Sequence, residues 1–141
     1  MINNIIKIIG EVKFMKQKFL KCEKCGAMVG VVKDCTCDDC GIKCCGEQMK
    51  ELIPGSTDGA REKHVPVYVK DGNKVIVTIG EIAHPMLDEH YIEWISIQTK
   101  FGNQRKVLKP GDKPEVCFSL CEDDEIEAVY AYCNLHGLWK A

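Results

Sequence analysis

Seven of the ten cysteines fall between Cys22 and Cys45, and this crowding limits what the chain can fold into more than any other feature. They are arranged as Cys22-x-x-Cys25-Gly26, then Cys35-Thr36-Cys37-Asp38-Asp39-Cys40-Gly41, then Cys44-Cys45-Gly46. Between Phe19 and Leu52 there are too few apolar residues for a self-sufficient core, so a bound metal has to supply much of the folding free energy. A secreted disulfide scaffold would carry a signal peptide, but Ile5-Ile6-Lys7-Ile8-Ile9 is short, interrupted by lysine and lacks a small-residue cleavage site. The close cysteine pairs therefore read as metal ligands in a cytoplasmic protein rather than as bridges. No stretch has the length of a transmembrane helix, so no membrane partner is expected. With a formal net charge of -2 and no basic run interleaved with aromatics, nucleic acid is not expected as a partner either.

A tetrathiolate site needs four of the seven. Cys22, Cys25, Cys37 and Cys40 make two Cys-x-x-Cys knuckles of the zinc-ribbon or rubredoxin type, and spacing alone favours them. Cys22, Cys25, Cys44 and Cys45 use an adjacent pair, a more constrained geometry. Zinc and iron both accept four sulfurs in a tetrahedron, so spacing does not choose the metal.

Residues 1–14 differ from the rest of the chain, being rich in Ile and Asn and free of cysteine. They read as an N-terminal extension, disordered or preceding a true start at Met15. Residues 15–53 form the cysteine-rich metal-binding domain, and the loop Pro54-Gly55-Ser56-Thr57-Asp58-Gly59 opens a second domain, 54–141. There, apolar residues alternate at Val65, Val67, Val69; Val75, Val77, Ile79; Ile92, Trp94 and, in the other phase, Ile95, Ile97; Val116, Phe118, Leu120; and Ile126, Ala128, Tyr130, Tyr132. Turn signals at Asp71-Gly72-Asn73, Phe101-Gly102-Asn103 and 109–114 separate them. Short strands with regular punctuation predict an all-β fold, a small β-sandwich. On this reading Cys117 and Cys121 are core or half-buried thiols, and Trp94 and Trp139 pack the core near the functional site.

The chemistry concentrates on the histidines. In Cys133-Asn134-Leu135-His136-Gly137 a thiolate and an imidazole sit three apart on a turn, suited to iron, copper or zinc rather than to calcium or magnesium. The other three histidines, His64, His84 and His90, stand at loop-to-strand junctions, and His84 is held extended by Pro85. Together they offer four imidazoles and one thiolate.

Glu62-Lys63-His64-Val65-Pro66, His84-Pro85-Met86, His90-Tyr91-Ile92-Glu93-Trp94, Leu108-Lys109-Pro110-Gly111 and Tyr132-Cys133-Asn134-Leu135-His136-Gly137-Leu138-Trp139 resemble the signature blocks of superoxide reductase. With Cys22-x-x-Cys25 and Cys44-Cys45-Gly46-Glu47-Gln48-Met49 in front, the chain resembles desulfoferrodoxin, the two-centre form, over residues 18–140. The resemblance implies an immunoglobulin-like β-sandwich behind a small desulforedoxin-like domain. It implies a mononuclear iron with His64, His84, His90 and His136 in a plane, Cys133 axial and the sixth position open. In front it implies a second iron, with zinc as the alternative, held by Cys22, Cys25, Cys44 and Cys45, which reverses the preference drawn from spacing. The implied activity is one-electron reduction of superoxide to hydrogen peroxide by a homodimer, using rubredoxin or a similar electron donor.

The spacer containing Cys35, Cys37 and Cys40 departs from the family pattern. It leaves open an exchange of Cys40 for one of the adjacent pair, or an additional redox-sensitive bridge. Two catalytic residues are implied by the resemblance and by charge. Lys63 would attract the superoxide anion, and Glu62, on a mobile loop, would close the sixth position in the oxidised resting state. The backbone N–H groups of Leu135 and His136 would tune the Cys133 thiolate. The competing readings are a small iron electron carrier with a structural rear metal site, and a zinc-ribbon binding module.

Overall fold

The computed structural model describes residues 16–141; the extension at 1–14 lies outside them. Five short strands come first: β1 (Lys18–Lys21), β2 (Met28–Val31), β3 (Lys43–Cys44), β4 (Glu47–Gln48) and β5 (Lys50–Glu51). They form a three-stranded sheet β2-β1-β5 and a separate two-stranded hairpin β3-β4. Phe19, Cys22 and Met49 are the only buried hydrophobic positions in this segment, so its elements have little apolar surface to hold them together.

A single helical turn, α1 (Arg61–His64), leads into β6 (Pro66–Asp71), β7 (Lys74–Ile79), β8 (Ile92–Thr99), β9 (Asn103–Val107), β10 (Glu115–Ser119), β11 (Ile126–Cys133) and β12 (Gly137–Lys140). These make two antiparallel sheets, β10-β7-β6 and β12-β11-β8-β9. The predicted turns at Asp71-Gly72-Asn73 and Phe101-Gly102-Asn103 join β6 to β7 and β8 to β9. The fold is the expected immunoglobulin-like sandwich with a small cysteine-rich module in front. Val75, Val77 and Ile79 from one sheet meet Ile95, Ile97, Val129 and Ala131 from the other, with Phe118 among them.

Alternation alone misplaces part of this core. In β11 the apolar run Ala128, Tyr130, Tyr132 faces away from the sandwich, and the opposite phase, Val129, Ala131, Cys133, lines it. Both faces of β8 and β11 are buried because the front module covers the outer one. Phe19 of β1 inserts there, its ring 4.7 Å from Trp94 and 5.7 Å from Tyr130. Lys21 Nζ donates to the Tyr132 hydroxyl at 3.1 Å. Trp94 therefore packs between the modules rather than beside the histidines.

Cys117 and Cys121 are exposed, not core thiols. Val116, Phe118 and Leu120 take the inward phase of β10, which turns Cys117 outward. The polar strand β9, with no apolar alternation to reveal it, is held by its pairing with β8.

Candidate metal centres

In the front module, the turn after β1 brings back Cys25, with the Gly26 N–H donating to the Cys22 carbonyl at 2.9 Å. The β3-β4 hairpin supplies Cys44 and Cys45. Cys45, at φ 53°, is the only non-glycine with positive φ among the described residues. That left-handed step lets two consecutive side chains reach one point instead of opposite faces. The four sulfurs of Cys22, Cys25, Cys44 and Cys45 lie within 4.8 Å of one another, with Cys25 and Cys44 3.6 Å apart. Backbone N–H groups of Cys25 and Lys24 help pull the Cys22 thiol down to about 7, while hydrogen bonding to Cys25 and Cys22 pushes Cys44 up to about 12. One thiolate forms readily and the next is resisted, the electrostatic problem that a bound cation relieves.

Cys37 and Cys40, the second knuckle favoured by spacing, are elsewhere. They cluster with Cys35, and Cys35 is joined to Cys40 by a disulfide. Of the alternatives the sequence leaves open for the spacer cysteines, this is the additional bridge, an exception to the preference for metal ligands. The loop is long enough to form its own group, and the hairpin has already delivered Cys44 and Cys45 to the first pair.

At the rear, four imidazoles form a square. Ring centroids are 4.7 Å apart for His64 and His84, 4.6 Å for His84 and His90, 4.9 Å for His90 and His136, and 4.7 Å for His136 and His64. The diagonal from His64 to His90 is 6.1 Å. Each ring stands steeply to its neighbours, by 72° to 81°, so ring edges rather than faces converge on the centre. Cys133 is fully buried, with its sulfur 3.7 Å from His136 Nδ1. It completes a group with His64, His84 and His90 in which all donor atoms lie within 4.8 Å.

Local structure fixes which nitrogen points inward. His64, at the end of α1, places Nδ1 2.7 Å from the Ala60 carbonyl, and His84 places Nδ1 2.6 Å from the Pro85 carbonyl. An N–H donated there leaves Nε2 as the free lone pair. His136 is reversed: its Nδ1 faces His64 Nε2 at 3.0 Å. Buried Nε2 atoms of His84 and His90 have no hydrogen-bond partner among the described residues, an arrangement that costs about 1–3 kcal/mol per atom unless something binds there. Desolvation lowers the pKa of His64 and His90 and brings His84 down to about 4. These imidazoles stay neutral and available as ligands. Burial pushes the Cys133 thiol up, opposed by N–H groups of His136 and Leu135, the two donors expected from the sequence. Nitrogen and sulfur donors in this arrangement fit a transition metal such as iron.

Several supports have no sequence signal beyond a turn propensity. Asn134 ties the Cys133–His136 turn to the loop carrying His90: its Oδ1 accepts from Tyr91 N–H at 2.9 Å, and its Nδ2 donates to the Glu89 carbonyl at 3.0 Å. The His136 carbonyl accepts from the Thr57 hydroxyl and, at 3.1 Å, from Trp139 Nε1. Trp139 also stacks on His64 with centroids 4.8 Å apart. A Cβ on Gly59 would lie 3.0 Å from Trp139 and 3.3 Å from His136, so only glycine fits without displacement. Gly80, at φ +84°, passes so close beneath α1 that a Cβ would lie 2.7 Å from the Lys63 carbonyl.

Lys63 and Glu62 are both exposed on α1. The Lys63 charge depresses His64 and His90, which puts it within electrostatic range of the square. Glu62 belongs to the helical turn rather than to a loop, and its carbonyl accepts from Ile82 N–H at 3.0 Å. It lines a surface hollow with Arg61, Val65, Val67 and Glu81 that includes none of the histidines.

The sequence model of the family described as Desulfoferrodoxin matches residues 56–141. The chain is 46% identical over 121 residues to the desulfoferrodoxin of Nitratidesulfovibrio vulgaris, covering 86% of this chain and 92% of that one. It is 45% identical to a desulfoferrodoxin homolog of Archaeoglobus fulgidus, covering 86% and 93%. Among solved structures, the superoxide reductase of Treponema pallidum superposes with a TM-score of 0.76 at 35% identity, over 90% of this chain and 99% of that one.

Proposed function

The chain belongs to the desulfoferrodoxin family, and on that premise we propose that it is a superoxide reductase that converts superoxide to hydrogen peroxide with an electron from an external carrier. The observation that carries the proposal is the square of four imidazoles with Cys133 at 0% exposure beside it. His64, His84 and His136 with His90 would hold iron by Nε2, Nε2, Nδ1 and Nε2, and Cys133 by its thiolate. Ferrous iron there would supply one electron to superoxide, which leaves with two protons as hydrogen peroxide.

The chain's own residues set the conditions. Carbonyls of Ala60 and Pro85 hold two of the imidazoles in the tautomer that offers Nε2 inward. Trp139, 2% exposed and stacked on His64, keeps water from that flank. N–H groups of His136 and Leu135 favour the Cys133 thiolate and would moderate the electron density it offers a bound metal. Lys63 attracts the anion and, with solvent, is the local source of protons. Glu62 would be a carboxylate on call for the bound metal, which requires its side chain to swing from the hollow beside Val67.

In this proposal residues 15–53 are an electron-entry module with a second iron, or zinc, on Cys22, Cys25, Cys44 and Cys45, and residues 54–141 are the reductase domain. A rubredoxin-type donor, a homodimer and a cytoplasmic setting complete it. Among the described residues no helix is long and apolar enough to cross a membrane.

The test is the decay of pulse-generated superoxide with iron-loaded protein. Cys133→Ser is expected to abolish the fast phase while the fold survives; an unchanged rate removes the thiolate from the mechanism. Lys63→Ala is expected to slow the second-order step on the order of tenfold and to flatten its salt dependence. An unaltered rate at low salt would exclude steering by Lys63.

A further inference from the structure

The loop between β2 and β3 carries a cysteine group that neither candidate centre uses. Cys35, Cys37 and Cys40 are all exposed, and their sulfurs lie within 4.8 Å of one another. Cys35 and Cys40 are bridged across a Cα separation of 6.3 Å, within the ordinary range for a disulfide. Cys37 is a free thiol beside the bridge. Residues 33–41 are exposed throughout, so almost no packing opposes the small movement that opens or closes a bridge of sequence separation 5. Exposed bridges of this kind are the labile ones. Cys35 and Cys40 also line a cavity of about 430 Å³ with Lys18 and Lys33.

We propose that Cys35, Cys37 and Cys40 form a thiol–disulfide site that reduces hydrogen peroxide, with Cys35 and Cys40 as the oxidised pair and Cys37 as the thiol through which the bridge is exchanged. In the first step a thiolate of the reduced pair attacks one peroxide oxygen. A sulfur–oxygen bond forms, the oxygen–oxygen bond breaks, and the departing hydroxide takes a proton to become water. The second thiol then attacks the sulfenic sulfur, the disulfide forms and a second water leaves. Two thiols lose two electrons and two protons, and one hydrogen peroxide becomes two waters. Cys37 can then attack the Cys40 sulfur, forming Cys37–Cys40 and releasing Cys35 as a thiolate. An external dithiol returns the pair to its reduced form. That the peroxide comes from the chain's own rear centre rests on the proposed superoxide reduction; the thiol chemistry does not.

Peroxide is therefore added directly to the full-length, metal-loaded protein after reduction with dithiothreitol and removal of the reductant. Remaining thiols are blocked with iodoacetamide, and peptides are analysed by mass spectrometry. The expected product is a peptide pair with Cys35 joined to Cys40 and two hydrogens lost, forming before the exposed thiols Cys117 and Cys121 are modified. Dithiothreitol should reverse it. Cys40→Ser, which removes both pairings, should abolish the bridge while leaving the metal content of the four-cysteine centre unchanged. Cys37→Ser should keep the bridge and lose the exchanged Cys37–Cys40 form. The proposal is overturned if Cys35 and Cys40 remain open to iodoacetamide after peroxide, or if they oxidise no faster than Cys117. A third metal ion per chain that shields all three thiols would overturn it as well. A protein inactive toward superoxide that still forms the bridge would separate the two proposals.

Discussion

The two candidate centres are built in opposite ways. The rear donors sit at the end of α1, at the end of β11 and on the loops beside them, anchored by two packed sheets, and His64, His84 and Cys133 are buried. The imidazoles are held by hydrogen bonds to carbonyls and, through the His90 loop, by Asn134. In front, Cys25 and Cys45 are exposed, and Cys44 and Cys45 come from a hairpin of two-residue strands. A site preorganised by a hydrophobic core can exist without its metal, whereas a site with only Phe19 and Met49 as buried hydrophobic residues besides its own ligand Cys22 depends on its metal to remain folded.

The largest effect should come from stripping the front metal or from Cys44→Ser. Structural metal binding is worth about 10–16 kcal/mol in small domains, so amide protection across residues 22–51 should vanish while β7, β8 and β11 stay protected. Hydrogen exchange with metal counting on the same sample reads both. Protection that survives metal loss in front would break the contrast. The same metal count on native protein separates the readings: two irons fit both centres, and one iron with one zinc makes the front site structural. No iron would favour a binding module.

Phe19→Ala should come next. The ring fills the space between β1 and the outer face of β8 and β11, and truncation at such a position costs roughly 3 kcal/mol. Chemical denaturation should show the front module separating from a sandwich that retains its midpoint. A single transition shifted as one unit would show that the two regions fold together.

Asn134→Ala is the smallest and sharpens the rear half of the comparison. It removes two side-chain hydrogen bonds between the Cys133–His136 turn and the His90 loop, worth about 1–3 kcal/mol where buried groups are left unpaired. Rear metal affinity should fall about tenfold or more, with the front metal untouched. Competition with a chelator, followed at each centre, measures it. Equal loss at both centres would mean that Asn134 supports the fold in general.

Ligand chemistry was legible without coordinates because it belongs to residue type and local turn. Cys-x-x-Cys-Gly, Cys-Asn-Leu-His-Gly and the three histidines at strand entrances each declared a donor, and the alternating apolar runs declared the sandwich. Donor grouping was different. Spacing favoured Cys37 and Cys40 for the front site and the family resemblance favoured Cys44 and Cys45; the hairpin, with its left-handed step, is what physically brings the adjacent pair to Cys22 and Cys25. The order of the imidazoles around the square, the clamp made by Asn134, and the burial of both faces of β8 and β11 likewise came from tertiary structure. The physical reason is range: a turn or a donor atom is decided within a few residues. The meeting of His64 with His136, or of Phe19 with Trp94, depends on strand register and on packing between segments far apart in the chain.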